Sequence, residues 1–275
     1  SEMKFRMIAM VSALMLILAA CSGTTESGGE VSVEEGVDAK EVFEKSITAQ
    51  QDIENFHMKA DMIQSIGSGE EELEVKSVID ADMVMDPMAF HQMIDMTADG
   101  ESMQVESYFT EEGFFMKQGE QWMKFPDDMT DTLLSLQETQ GDPLEQMEML
   151  KEYVDEFTLT EEEDTYVMTL KASGEKFQGL IEKTAEEMGG QNQMMEEAMD
   201  QMNVNEVAYT YTIDKENYLP VQMKMKMDSE MTMEGETISS LMEMDSTYDQ
   251  YNEIDEVKVP EEVIEQAEEM PGMSE

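Results

Sequence analysis

The chain has 275 residues, a single cysteine and a formal net charge of −49 at pH 7. Only 16 lysines and arginines oppose 65 aspartates and glutamates. A surface with so few cations cannot neutralise phosphates, so the composition excludes nucleic-acid binding. One cysteine also excludes an internal disulfide, which leaves the fold to be stabilised by apolar burial.

Residues 1–20 have the pattern of an export signal. Lys4 and Arg6 precede an uncharged run over residues 7–20, which is shorter than the roughly 20 apolar residues of a membrane span. The run ends in Leu18-Ala19-Ala20-Cys21, which resembles a bacterial lipobox. This resemblance implies cleavage before Cys21, lipid on its sulfur and a position on the outer side of the cell membrane. The alternative is a free or buried thiol behind an ordinary signal peptide.

The rest of the chain is predicted to be one domain behind a tether. Residues 21–38 are small, polar and acidic, which is typical of a flexible linker. Asp38 followed by Glu41 has the spacing of a capping box and predicts a helix over residues 39–52. No internal linker or repeat divides residues 39–270, and residues 271–275 form a short tail.

Alternating hydrophobicity predicts antiparallel strands over residues 56–124 and again over 207–248. Asp99-Gly100 is a turn signal between two of these strands, and Gly113 and Gly119 separate short strands around Phe115 and Trp122. Such alternation is typical of a sheet with one apolar and one polar face.

Helical patterns interrupt the strands. Asp142-Pro143-Leu144-Glu145 has the residues of a helix start and predicts a helix over 143–154. An apolar stripe predicts helices over 174–202 with a break at Gly189-Gly190. Val259-Pro260 begins a short helix that carries Val263 and Ile264. Together these patterns predict an α+β fold.

Methionine is the most informative residue type, with 32 copies, many of them at every second position of a predicted strand. Three interpretations stay open: an adaptable core filler, a deformable groove for an apolar ligand, or a Cu(I) site built from thioethers. The alternation predicts that Met223, Met225 and Met227 face one side and Lys224 and Lys226 the other. The candidate groove residues are Met58, Met62, Met83, Met85, Phe177, Leu180, Ile181, Met188, Met223, Met225, Met227, Met242 and Met244.

The sequence contains no motif that indicates catalysis or the binding of a metal ion such as zinc or calcium. No nucleophile elbow, P-loop or H-E-x-x-H motif occurs, and the acidic run over 161–164 lacks a calcium-loop pattern. His57 and His91 fall on the polar side of their strands and are expected at the surface. We therefore expect a protein that is not an enzyme, with no catalytic residue, no bound metal and no cofactor.

A stretch with regularly placed aromatic residues, glycines and lysines carries a family resemblance. It contains Tyr108-Phe109, Gly113, Phe114-Phe115-Met116-Lys117, Gly119 and Trp122-Met123-Lys124. It resembles a hairpin of uncharacterised Gram-positive lipoproteins, as do Ile213-Asp214-Lys215, Tyr218-Leu219-Pro220-Val221 and Val259-Pro260.

That family is similar in architecture to the LolA/LppX type of lipoprotein and lipid carriers. The resemblance implies a curved antiparallel sheet, a half-barrel, whose concave face is closed by helices. It implies no catalytic residues. The expected partners are the bilayer, through Cys21, and an apolar or amphiphilic ligand; the sequence does not identify a protein partner. The alternative function is a structural or interaction lipoprotein of the cell envelope with a filled core.

Overall fold

The computed structural model describes residues 38–68, 71–127, 130, 157–173, 202–233 and 236–270. Within these ranges the helices are α1 (Ala39–Gln50) and α2 (Glu261–Gln266). The strands are β1 (Asn55–Ser68), β2 (Glu71–Met85), β3 (Met88–Ala98), β4 (Glu101–Thr110), β5 (Gly113–Gln118), β6 (Gln121–Lys124), β7 (Thr158–Glu161), β8 (Thr165–Ser173), β9 (Met202–Asp214), β10 (Pro220–Met233), β11 (Glu236–Asp249) and β12 (Glu268–Glu269). The described residues are therefore mostly β, where the sequence had predicted an α+β fold.

All twelve strands form one open, curved sheet in the order β12-β6-β5-β4-β3-β2-β1-β11-β10-β9-β8-β7. Its pairings are antiparallel except for β12, which runs parallel to β6. The first long strand, β1, pairs with the last long strand, β11. The N-terminal and C-terminal meanders therefore meet in the middle of the sheet.

Helix α1 begins at the predicted residue and packs against the sheet. The side chain of Asp38 accepts a hydrogen bond from the backbone N–H of Lys40, 3.1 Å away. In a capping box the side chain of Glu41 would accept a hydrogen bond from the backbone N–H of Asp38. Here Glu41 instead forms an ion pair with Lys45 at 2.7 Å, so only the N-cap part of the predicted capping box is present. Val42, Phe43 and Ile47 are buried in the main core.

The two faces of the sheet differ as the alternation predicted. We call the face that carries Met58, Met62, Met225 and Met244 the methionine face; the main core lies on it. We call the opposite face the polar face. Ion pairs cross between its strands, including Lys59 with Asp80 at 3.3 Å and Lys224 with Asp245 at 3.4 Å.

A second, smaller core interrupts the polar face, which the sequence interpretation missed. Phe115 and Trp122 lie on the polar face of β5 and β6, and they pack with Val259 and with Val263 of α2. The C-terminal segment thus covers one end of the polar face, and β12 adds a strand to the same edge.

Several predicted features lie outside the described residues. They are the signal over 1–20, Cys21 and its tether, and the helices over 143–154 and 174–202 except for Met202, which begins β9. Closure of the concave face by those helices therefore stays a prediction. Among the described residues, no helix is both long and apolar enough to cross a membrane.

Candidate functional site

The methionine face is built by side chains that lie in register across three central strands. Met62 of β1 lies opposite Met244 of β11, which in turn lies opposite Met225 of β10. Met58, Met223 and Met242 are also buried in the same cluster. The alternation predicted for β10 is present, because Lys224 and Lys226 form ion pairs with Asp245 and Glu243 on the polar face.

This central part of the methionine face belongs to a packed core that includes α1. Phe43 of α1 stacks on Phe157, with ring centroids 6.0 Å apart, and Phe157 lies 6.3 Å from Tyr211. Of the other predicted groove residues, Met83 and Met227 pack against this core while partly buried, and Met85 is half-buried. Phe177, Leu180, Ile181 and Met188 lie outside the described residues.

An aromatic cluster extends the methionine face over β3–β6. We call it the aromatic flank; it consists of Phe90, Phe109, Phe114 and Phe125. Phe90 stacks on Phe109 with centroids 5.4 Å apart, and Phe114 stacks on Phe125 at 4.6 Å. Phe90 also meets Phe114 edge-on at 6.2 Å. Aromatic contacts of this kind give a rigid, apolar surface.

The aromatic flank is less covered than the central part of the same face. Phe90 and Phe125 are half-buried, and so are Met116 and Met123 beside them. Phe109 and Phe114, in contrast, are only 2% and 3% exposed. The partly accessible apolar side chains at this end of the face are therefore Phe90, Met116, Met123 and Phe125, where the sequence interpretation had placed no groove residue.

Two uncharged polar side chains lie side by side at the aromatic flank. Gln92 of β3 is directly opposite Ser107 of β4, and both point to the methionine face. Ser107 is only 2% exposed, and no described residue forms a hydrogen bond with either side chain. A buried hydroxyl without a partner costs about 1–3 kcal/mol. Ser246 is buried without a described partner too, but its register partners Ala60 and Met223 belong to the core that includes α1.

The two histidines lie on the polar face and each has a carboxylate partner. Nδ1 of His57 is 2.7 Å from Oδ1 of Asp82, and Nε2 of His91 is 3.0 Å from Oε1 of Glu106. The side chains of His57 and His91 are 13% and 29% exposed, so both are partly buried on the polar face on which they were predicted. Among the described residues, no group of three or more histidine, cysteine or acidic side chains is placed to hold a metal ion.

A shallow depression of about 580 Å³ lies beside α1, away from the methionines. Its lining includes Glu41, Glu44, Lys45, Asp52 and Tyr218. Hydrogen bonds to Glu41 and then to Tyr218 raise the pKa of Lys45. Four of its seven lining residues are charged, whereas apolar ligand sites contain only a few polar groups.

Comparison with known proteins identifies a family. The model of the "Family of unknown function (DUF6612)" matches residues 38–268. No curated protein sequence matches the chain.

Solved structures give only remote similarities. The chain is similar to the lipoprotein LppX of Mycobacterium tuberculosis at 10% identity, a TM-score of 0.38 and coverage of 80% of this chain and 98% of that one. It is similar to LprF from Mycobacterium bovis at 10% identity, a TM-score of 0.40 and coverage of 81% and 96%. For a LolA superfamily protein from Nitrosomonas europaea the identity is 8%, the TM-score 0.23 and the coverage 83% and 97%. These likenesses are too remote to carry an argument about function.

Proposed function

We propose that this chain, which belongs to DUF6612, a family of unknown function, is a lipid-anchored envelope protein that binds an apolar or amphiphilic ligand without catalysing a reaction. The ligand would lie on the methionine face, with the aromatic flank as its main contact. The observation that carries the proposal is the partial exposure of apolar side chains there, on the face that elsewhere forms the core.

The composition of this surface supports a binding role. Ligand sites are lined mainly by hydrophobic and aromatic side chains, with a few polar groups that fix orientation. The aromatic flank provides four phenylalanines, and Met116 and Met123 lie opposite each other beside them. Thioether side chains adapt to varied shapes, so such a surface suits a flexible acyl chain.

Anchoring rests on the sequence alone. The export pattern over residues 1–20 and the lipobox-like Leu18-Ala19-Ala20-Cys21 support attachment of Cys21 to the outer side of the cell membrane. A diacyl anchor supplies two chains, whereas a single chain binds a membrane only marginally. The tether over 21–38 would then hold the sheet close to the bilayer.

The experiment that tests the binding role uses a headgroup-free diazirine hydrocarbon as a photoactivatable probe. The lipid-anchored full chain in membranes is labelled, and the labelled residues are mapped by mass spectrometry. We expect labels on Phe90, Met116 and Phe125 and none on the polar face of the same strands.

Two variants of neighbouring residues make this experiment specific. Met116→Glu places a charge on the methionine face, and Lys117→Glu places the same charge on the polar face. Labelling should fall at least about tenfold in the first variant and persist in the second, because a carboxylate on this surface disfavours contact with hydrocarbon. Equal labelling of both faces in the unmodified chain would refute ligand binding on the methionine face.

A second candidate function is an envelope scaffold with a filled core. The burial of six groove candidates, Met58, Met62, Met223, Met225, Met242 and Met244, in one cluster with α1 favours it. In that case the methionines act as core filler, and the probe leaves the aromatic flank unlabelled.

A further inference from the structure

We infer that the molecule bound by this chain is an uncharged amphiphile. Its neutral polar group, such as an ester, amide or alcohol, hydrogen-bonds to Gln92 and Ser107. This inference deepens the proposed function and rests on it. The two side chains are cross-strand partners on β3 and β4. They form a polar site within an apolar surface.

The first argument is the chemistry of the pair. A glutamine amide offers two N–H donors and one carbonyl acceptor, and a serine hydroxyl both donates and accepts. None of these groups is paired with a described residue, although Ser107 is almost fully buried. Buried polar groups in proteins nearly always have partners, so an unpaired hydroxyl in this setting indicates a missing one.

The second argument is the position of the pair. Phe90 and Phe109 are opposite each other in the adjacent row of the same face, and Ser107 lies opposite Met116 of β5. An apolar chain lying on the aromatic flank would therefore bring a polar group at its end or middle within reach of Gln92 and Ser107. Few polar groups among many apolar ones are what orient a ligand in a pocket.

The third argument is charge, and it selects the ligand class. Every lysine on the described strands lies on the polar face: Lys59, Lys76, Lys117, Lys124, Lys171, Lys224 and Lys226. The methionine face of those strands therefore has no cation to pair with a phosphate or carboxylate. With a formal charge of −49 the chain also repels anions, so a neutral polar group fits best.

The test compares three photoactivatable probes that share one diazirine acyl chain and differ only in the polar end. They are the monoacylglycerol, the free fatty acid and the lysophosphatidic acid. Each is added to membranes that contain the lipid-anchored full chain, and labels on Phe90, Met116 and Phe125 are quantified. We expect the monoacylglycerol to label these residues at least about fivefold more than either anionic probe.

Variants of the pair make the role of the two side chains measurable. Gln92→Leu and Ser107→Ala are close in size to the natural residues and should each reduce the labelling by monoacylglycerol about fivefold, as expected for one lost hydrogen bond. Gln104→Leu and Ser102→Ala are matched controls on the polar face of β4 and should leave labelling unchanged. Far-UV circular dichroism confirms that each variant is folded.

The outcomes separate this inference from the function on which it rests. If all three probes label the aromatic flank equally and the Gln92 and Ser107 variants change nothing, the uncharged-amphiphile inference is overturned while apolar binding stands. If the anionic probes label more strongly, the inference is likewise overturned. If the headgroup-free hydrocarbon also fails to label the flank, the proposed function itself is wrong.

Discussion

Met62 lies directly opposite Met244 where β1 pairs with β11, and Met244 lies directly opposite Met225 where β11 pairs with β10. The first of these contacts joins residues that are far apart in sequence but adjacent in the middle of the sheet. The row therefore connects the two meanders, and the stability of the sheet should depend on it.

Truncating either side of this contact should destabilise the fold. Met62→Ala and Met244→Ala should each lower the free energy of unfolding by about 2–5 kcal/mol, because both side chains are buried and leave a cavity. Urea denaturation followed by circular dichroism measures this. Met103→Ala is the matched control, since that side chain is 46% exposed and should change the value by no more than about 0.5 kcal/mol. Equal effects at both sites would show that the row does not form the core.

The strands and their faces could be predicted from the sequence because each is encoded locally. Alternation placed Met223, Met225 and Met227 on one side of β10, and Asp99-Gly100 marked a turn in which both residues have positive φ. Helix α1 was predicted from its cap and its apolar stripe.

The arrangement of those strands could not be predicted, because strand order has no local signal. Nothing in the alternation of β1 says that its neighbour is β11, nearly 200 residues away. The parallel pairing of β12 with β6 was missed for the same reason.

The candidate site was predicted only in part. Methionine spacing identified the correct face, yet six of the groove candidates are buried in the core with α1. The partly exposed aromatic flank and the Gln92–Ser107 pair depend on how neighbouring strands are covered, which spacing does not encode. The carboxylate partners of His57 and His91 also come from neighbouring strands.

Alkaline pH should destabilise the protein through Tyr251. Burial, and then the nearby Tyr248 and Asp249, raise the pKa of this phenol, whose hydroxyl donates a 2.7 Å hydrogen bond to the carbonyl oxygen of Pro220. A raised pKa in the folded state gives a stabilisation that is complete below the unfolded value of 10.0 and is lost as pH rises towards the folded value. Stability should therefore fall as pH increases above 10.

Tyr251→Phe separates this effect from general alkaline unfolding. At neutral pH the variant should be about 1 kcal/mol less stable because the hydrogen bond is lost. Above pH 10 its stability should fall less steeply than that of the unmodified chain, as measured by urea denaturation at several pH values. Parallel pH profiles would contradict the role of Tyr251.

Salt should stabilise the folded chain. Because the formal charge is −49, repulsion between carboxylates opposes the compact state, and this outweighs the exposed ion pairs of the polar face. The Debye length falls from about 30 Å at 0.01 M salt to about 10 Å at 0.1 M, so most of the gain should occur in that range. Thermal unfolding in sodium chloride and in choline chloride should show the same rise in Tm. A fall in Tm with added salt would contradict this balance of charges.

Cys21→Ser should abolish membrane attachment. Without the thiol no thioether-linked lipid can form. The uncharged run over residues 7–20 is also shorter than the roughly 20 apolar residues that a transmembrane helix needs. After detergent phase separation the unmodified protein should be in the detergent phase and the variant in the aqueous phase. Ser22→Ala is the control and should remain in the detergent phase. A Cys21→Ser chain that still partitions into detergent would contradict the anchor.

The most direct test of ligand binding is the identification of molecules that copurify with the chain. The lipid-anchored protein is purified from its host, extracted with organic solvent and analysed by mass spectrometry beside Met116→Glu and Lys117→Glu. We predict a near-stoichiometric uncharged amphiphile with the unmodified chain and with Lys117→Glu, and its loss from folded Met116→Glu. Identical extracts from all three proteins, with no enriched molecule beyond the Cys21 lipid, would contradict ligand binding on the methionine face.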